Sequence, residues 1–383
     1  MNRKKEASPM EDQAFRTDLA EIAAQRFRRG EIDRRSLLKL LGALGLVPLI
    51  GSDKAFADAK ELVLVNWGGE PSKVLQKVMG DTFTAETGVK VTVDGSGPSA
   101  GKIRAMVESG AVVWDVCDSG PGSAIIMGNQ GVATPIDYSI VDKSKVIDGF
   151  TWEYGVANYM YSYVLCCNTQ MLKETPKTWA DVWNVKDFPG KRTFRKSVRG
   201  MLETAAMAMG AKPQEVYDFL KDEKGIKAAI AKFHELREHI IVWSSGSASQ
   251  DLFLQNEVAI GCIWSTRAQL LRDQMPAGGF SVTFNEGVLS PGAWVVPKNN
   301  PAGAELAMKF IAHTQDPKLQ VEWLKLIGSG PANPAAAAMV PDELKAWDPS
   351  SPEHMATQTV YNDDWYAKNQ VKAEELYIDA LIN

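Results

Sequence analysis

Apolar and polar positions alternate in short, regular blocks along residues 61–131. Glu61 to Asn66 (ELVLVN) predicts a strand. Pro71 to Thr87 predicts a helix with Val74, Leu75, Val78 and Phe83 on one face, and Val89 to Val93 a second strand. Lys102 to Ser109 reads as a helix, Val112 to Cys117 as a strand, and Ser123 to Asn129 as a helix ending near Gly131. Such a βαβαβα series favours a mostly parallel sheet covered by helices on both faces. The texture then changes. Tyr159 to Asn168 (YMYSYVLCCN) predicts a long apolar strand, and Thr178 to Arg192 a loop-rich segment holding Trp179, Trp183 and Phe188-Pro189-Gly190. Helices are expected at Gly200 to Met209, Pro213 to Lys221, Ile226 to Glu238 and Ser249 to Gln255, with strands at Ile240 to Trp243, Val258 to Trp264 and Ala293 to Val296. Pro301 to Thr314 and Pro317 to Leu326 read as helices with proline near the start, where its missing N–H costs nothing.

The first 57 residues have another character. Asp33-Arg34-Arg35-Ser36-Leu37-Leu38-Lys39, the apolar run Leu40 to Ile50 and then Ala55-Phe56-Ala57 make up a twin-arginine signal with a small-x-small cleavage site. The run is well short of the roughly 20 residues that span a bilayer, and Gly42, Gly45 and Pro48 interrupt it. The expectation is export by the twin-arginine translocase, cleavage after Ala57, and a periplasmic product from Asp58 to Asn383. Residues 1 to 30, polar and charged, are expected to be disordered. A product of this size buries a large core and is expected to form two domains.

Of 42 Lys and Arg and 47 Asp and Glu, 11 and 8 lie in the first 57 residues, leaving 31 against 39, a net charge near -8. This balance argues against a nucleic-acid or anionic-membrane partner, either of which needs a basic face. Cys117, Cys166, Cys167 and Cys262 show no C-x-x-C spacing, and they read as small buried apolar residues, with a disulfide left open by the oxidising compartment. Four histidines without an H-x-x-x-H pair give no zinc site, so neither metal nor cofactor is expected.

Several motifs follow one another in a fixed order. They are Asn66-Trp67-Gly68-Gly69-Glu70 after a strand, Glu86-Thr87-Gly88-Val89-Lys90-Val91, Trp114-Asp115-Val116, and Pro176 to Trp183 (PKTWADVW) leading to Phe188-Pro189-Gly190-Lys191. Gly261-Cys262-Ile263-Trp264, Val295-Val296-Pro297-Lys298 and Gly330-Pro331-Ala332-Asn333 complete the set. In this order and spacing the chain resembles periplasmic substrate-binding proteins of ABC importers, of the spermidine/putrescine-binding type. The resemblance implies an α/β, two-domain type II periplasmic binding fold. Each domain is then a mostly parallel sheet flanked by helices, hinged by two crossover strands near Tyr161 to Asn168 and Glu286 to Ala293. The implied division is 58–163 with 290–338 for domain I and 164–289 with 339–383 for domain II. It also implies a monomer that closes on a ligand and docks on an inner-membrane permease, with no catalysis.

The resemblance places aromatic residues from both domains around the ligand, pointing to Trp67, with Gly68 beside it, and Trp264. Ser96-Gly97 and Ser119-Gly120 follow strands and open helices, where backbone N–H groups meet a polar or anionic group; the alternative is a helix cap without ligand. Ser197, Gly200 and Gly292 stand where polyamine binders carry carboxylates, and a buried ammonium without a nearby anion is costly. The region instead carries Arg195, Lys196, Arg199 and Arg267, and a guanidinium suits an acid group better than an amine. The expected ligand is therefore a small zwitterion or anion of the 4-aminobutyrate or amino-acid kind, clamped by Arg267 and Arg199 and packed by Trp67 and Trp264. Asp115 is an amine partner or a backbone acceptor.

Three rivals share parts of the pattern. Gly95-Ser96-Gly97-Pro98-Ser99-Ala100 imitates the dinucleotide fingerprint of a Rossmann-type oxidoreductase, with Asp115 downstream, but Pro98 sits inside the turn. Cys117-Asp118-Ser119-Gly120-Pro121 lacks the frame of a serine protease. A binding protein serving a sensor instead of a permease would share every residue named.

Overall fold

The computed structural model describes residues 61–382, so the expected export signal, its expected cleavage site and residues 1 to 30, expected to be disordered, lie outside the described residues. The first elements are β1 (Glu61–Val65), α1 (Glu70–Leu75), α2 (Asp81–Thr87), β2 (Lys90–Asp94), α3 (Ala100–Ser109), β3 (Val116–Ser119) and α4 (Pro121–Asn129). Two-residue strands β4 (Ala133–Thr134) and β5 (Thr151–Trp152) precede the long β6 (Gly155–Asn168). β7 (Arg192–Arg195), α5 (Met201–Ala208), α6 (Glu223–His234), β8 (Ile240–Trp243), α7 (Gly246–Leu254), β9 (Ile260–Trp264) and α8 (Ser265–Gln274) lead to β10 (Phe280–Pro297). α9 (Ala304–Thr314), α10 (Pro317–Ile327) and the C-terminal α11 (Asp363–Ile382) follow.

One sheet runs β2-β1-β3-β10-β6-β9-β7-β8. Its two ends are parallel: Leu64 faces Val93 on one side and Val116 on the other, and β7 pairs in parallel with both β8 and β9. In the middle β6 and β10 run antiparallel to each other and to their outer neighbours β9 and β3. These are the two crossover strands of a type II periplasmic binding fold.

Two apolar cores flank the crossover. The first gathers Leu62, Leu64, Leu75, Phe83, Trp294, Phe310 and Trp323. The second gathers Trp179, Phe194, Phe233, Phe253 and Ile263 with Tyr366 and Tyr377 of α11. Along β6, Met160 belongs to the first core and Tyr163 to the second; along β10, Leu289 belongs to the first and Val288 to the second. Each fully buried large side chain contributes about 1.5–3 kcal/mol, so each core holds its own half together.

The structure amends several expectations: the third strand begins at Val116 instead of Val112, and a short helix, Trp179–Trp183, capped by Thr178, stands in the segment expected to be loop-rich. The helix expected over Pro71 to Thr87 contains a π-helical turn at Gln76–Gly80. Its cause is Gln76, whose amide accepts from Val93 N–H and donates to the Val91 carbonyl, leaving room above it only for Gly80. The strand expected at Ala293 to Val296 extends over 18 residues. Glu286, at positive φ, and the Pro291-Gly292 pair look like breakers, but they fall at bulges, where the register with β6 shifts between Thr283 and Val288 and again between Pro291 and Ala293. Pro301 precedes α9, whose cap is Gly303, whereas Pro317 does open α10.

Several recurrent motifs hold the frame. Arg192 is buried, its guanidinium donating to the carbonyls of Val182, Gly190 and Phe188, so the short helix Trp179–Trp183 and the loop after it wrap around one cation. Asn333 ties its turn to α10 through its backbone N–H, which donates to Gln320 Oε1, while its side-chain amide donates to the Gln315 carbonyl. All four cysteines are free and buried.

Candidate functional site

Tyr159, Tyr161 and Tyr163 alternate along β6, so the two-residue period of a strand places three phenols on one face. Successive ring centroids are 6.1 and 6.0 Å apart. Trp264, the last residue of β9, pairs opposite Tyr163 and stands edge-on to Tyr161 and Tyr163 at 6.4 Å and to Trp243 at 5.0 Å. The tyrosine row is legible in the sequence as Y-x-Y-x-Y, but the segment reads there only as a long apolar crossover strand.

Three arginines border this aromatic wall. Arg195 lies 5.2 Å over the Trp264 ring and donates to the Tyr163 hydroxyl at 2.6 Å. Arg199 donates from Nε to the Tyr361 hydroxyl at 2.9 Å. Arg267, on the first turn of α8, donates to Gln250 at 3.3 Å, while its buried Nε and the buried Trp264 Nε1 have no partner. Among the described residues the arginines in ion pairs are Arg104, Arg237 and Arg272, none of which is at this wall. The hydrogen bonds of these three guanidinium groups go only to hydroxyls and an amide, although the Arg199 charge also acts on Asp363 and Glu203, and an acid group is a natural further partner.

Sequence reasoning missed Asp118, which lies wholly buried at the end of β3. Its carboxylate accepts from Asn66 Nδ2 at 2.6 Å and Asn158 Nδ2 at 3.1 Å, and the Tyr159 hydroxyl donates at 3.5 Å. Burial pushes its pKa up to about 7, against the opposing pull of these three donors. Asp118 thus joins β1, β3 and β6 beside the tyrosine row. It stands next to the Ser119-Gly120 pair expected to meet a ligand, but Asp118 itself is read only within the protease-like run Cys117 to Pro121.

The other expected residues are distributed unevenly. Trp67 follows Asn66 and is 57% exposed, a large indole left in water next to the Asp118 network. Gly68 is at positive φ and a Cβ there would stand 2.7 Å from the Gly95 carbonyl, so it serves the close approach of two turns. Gly292 fills a similar need, since a Cβ would stand 2.6 Å from the Tyr159 ring. Ser197 donates to Glu374 of α11, and Lys196 points to solvent.

The anion-receiving N–H groups expected at Ser96-Gly97 and at the start of α4 are engaged within the protein. Ser96 N–H donates to Asp94 and Gly97 N–H to the Asn66 carbonyl. Ser119 is held in the sheet opposite Ala293, Gly120 caps α4, and the Gly122 N–H beyond it donates to Asp363 at 2.8 Å. Asp115 accepts from Val63 N–H at 2.7 Å and Ala302 N–H at 2.7 Å, which uses it as a backbone acceptor and not as an amine partner. The Ser96 and Gly97 N–H groups of the turn are thereby withheld from a dinucleotide pyrophosphate. Among the described residues no cluster of His, Cys, Asp or Glu has the makings of a metal site.

The fold and this wall define a solute-binding protein, and comparison with known proteins agrees. The profile of the family described as bacterial extracellular solute-binding protein matches residues 79–353, and the chain belongs to that family. The chain is 26% identical over 335 residues to the gamma-aminobutyric acid-binding protein of Pseudomonas aeruginosa, covering 87% of this chain and 94% of that one. The structure of the Atu4243-GABA receptor superposes with a TM-score of 0.76 at 28% identity, covering 84% of this chain and 98% of that one. The binding protein MotA of A. tumefaciens B6, in complex with glucopine, superposes with a TM-score of 0.77 at 30% identity, over 84% and 100% of the two chains. Proteins of this family capture small solutes for ABC importers.

Proposed function

We propose that this protein captures a small amino acid or related organic acid between its two cores and presents it to an inner-membrane permease without chemical change. The carrying observation is the aromatic wall bordered by Arg195, Arg199 and Arg267, none of them in an ion pair among the described residues. The names of the relatives, which refer to gamma-aminobutyric acid and glucopine, support an amino-acid-like ligand. A polyamine is disfavoured by the positive charge of the wall. Arg267 and Arg199 hold the acid group; Trp264 and the tyrosine row pack the stem, and Trp67 covers it from the first core. The moving bodies are 58–163 with 290–338 and 164–289 with 339–383. The twin-arginine signal delivers the chain to the periplasm, where it acts as a monomer.

Native mass spectrometry of the protein purified from a periplasmic extract, before and after denaturation, tests this reading. Release of an amino acid or small organic acid supports it. Release of a di- or polyamine, or of a dinucleotide, overturns it.

A further inference from the structure

We propose that Asp363 selects for an amino group in the ligand, accepting its ammonium while Arg199 holds the acid end of the same molecule. The inference rests on the solute-binding reading above and narrows its ligand to a zwitterion. A cavity of about 330 Å³ lies beside the start of α11, with Phe150, Trp152, Pro291, Tyr361, Asp363 and Asp364 in its wall. Asp363 opens a helix whose Tyr366 and Tyr377 belong to the second core, yet its Oδ1 accepts from Gly122 N–H of α4, whose Ala124 and Met127 pack with Val65 of β1 and Cys117 of β3. The structure gives Oδ2 no hydrogen-bond partner.

Three features make this a place for a cation. The carboxylate is partly buried and makes no ion pair among the described residues, so its free oxygen can accept from an arriving ammonium, although the Arg199 charge acts on it as well. Aromatic residues line the same space, Phe150 and Trp152 with centroids 6.3 Å apart, and aromatic faces attract ammonium groups. Tyr361 joins this cavity to the acid-binding side, because its ring lines the cavity while its hydroxyl accepts from Arg199 Nε at 2.9 Å. The same tyrosine thus touches Arg199 through its hydroxyl and shares the cavity wall with Asp363. Burial holds the Asp363 pKa up at about 6, with the Arg199 charge and the Gly122 N–H pulling down and Asp364 pushing up; the group is charged at neutral pH. Neither Ser197, Gly200 nor Gly292 supplies an acid, and Asp115 is committed to backbone.

Calorimetric titration of the purified protein with 4-aminobutyrate and with butyrate, which lacks only the amine, tests the assignment. Wild type is expected to prefer 4-aminobutyrate. Asp363→Asn, which keeps an oxygen for the Gly122 N–H, is expected to weaken 4-aminobutyrate at least tenfold and leave butyrate unchanged. Trp152→Leu, which leaves the α4 cap alone, is expected to erode the same preference severalfold, and it decides the matter if Asp363→Asn fails to fold. Equal weakening of both compounds would make Asp363 a helix cap only, and an undiminished preference for the amine would likewise overturn the assignment. A wild type that binds neither compound would remove this inference together with the reading beneath it. A wild type that binds both equally would remove the inference alone.

Discussion

Arg267 carries the clearest residue-scale consequence. Its buried Nε lacks a partner, and a hydrogen bond between a charged donor and a ligand carboxylate stabilises by about 1.5–3 kcal/mol, a factor of roughly ten to a hundred in affinity. Arg267→Ala is expected to weaken an amino-acid ligand at least tenfold in calorimetry, with a midpoint of thermal unfolding near that of wild type; a large loss of stability with binding intact would return Arg267 to the core. Asp118 makes a second prediction through pH. Its pKa is about 7 in the fold and near 3.8 when unfolded, so between those values the native state keeps a proton that the unfolded chain has released. Its contribution is fully present below about pH 4 and is lost as pH rises through 7, with a slope of at most about 1.4 kcal/mol per pH unit. Urea unfolding across pH 4.5–8 should show that decline in wild type and a flatter curve in Asp118→Asn; identical slopes would refute it. Arg267, Arg199 and Trp264 were legible because each sits in or beside a contiguous motif. Asp118 and Asp363 were not, because their meaning comes from Asn158, Tyr159 and Gly122, which are distant in sequence.

At the scale of elements, β6 and β10 decide the geometry of the site. The tyrosine row needs one face of β6 free of crowding, and β10 provides it by placing Gly292 against Tyr159. Gly292→Val is expected to displace Tyr159, cost about 1–3 kcal/mol in denaturant unfolding, and weaken ligand binding with it; full stability with full affinity would show that the close approach is not required. The parallel outer strands were legible from their alternation with helices, and β6 from its apolar run. β10 was legible only in part, since Gly287, Pro291 and Gly292 look like strand breakers until a partner strand absorbs them in bulges. The π turn in the first helix was equally hidden, because it depends on Gln76 reaching across to β2.

For the whole molecule, two separate cores joined by two antiparallel strands allow bending without exposing either core. Small-angle scattering should show the radius of gyration falling when ligand is added, and an unchanged profile at saturation would argue against closure. Arg34→Lys combined with Arg35→Lys should retain the precursor in the cytoplasm, as read by cell fractionation; continued export would discard the twin-arginine reading. The central claim is that an arginine-bordered aromatic wall binds an amino acid and not a polyamine. Calorimetric titration of the wild-type protein with 4-aminobutyrate and, separately, with putrescine tests it most directly. Saturable heat with 4-aminobutyrate and none with putrescine is the expected result, and saturable binding of putrescine without binding of 4-aminobutyrate would contradict it.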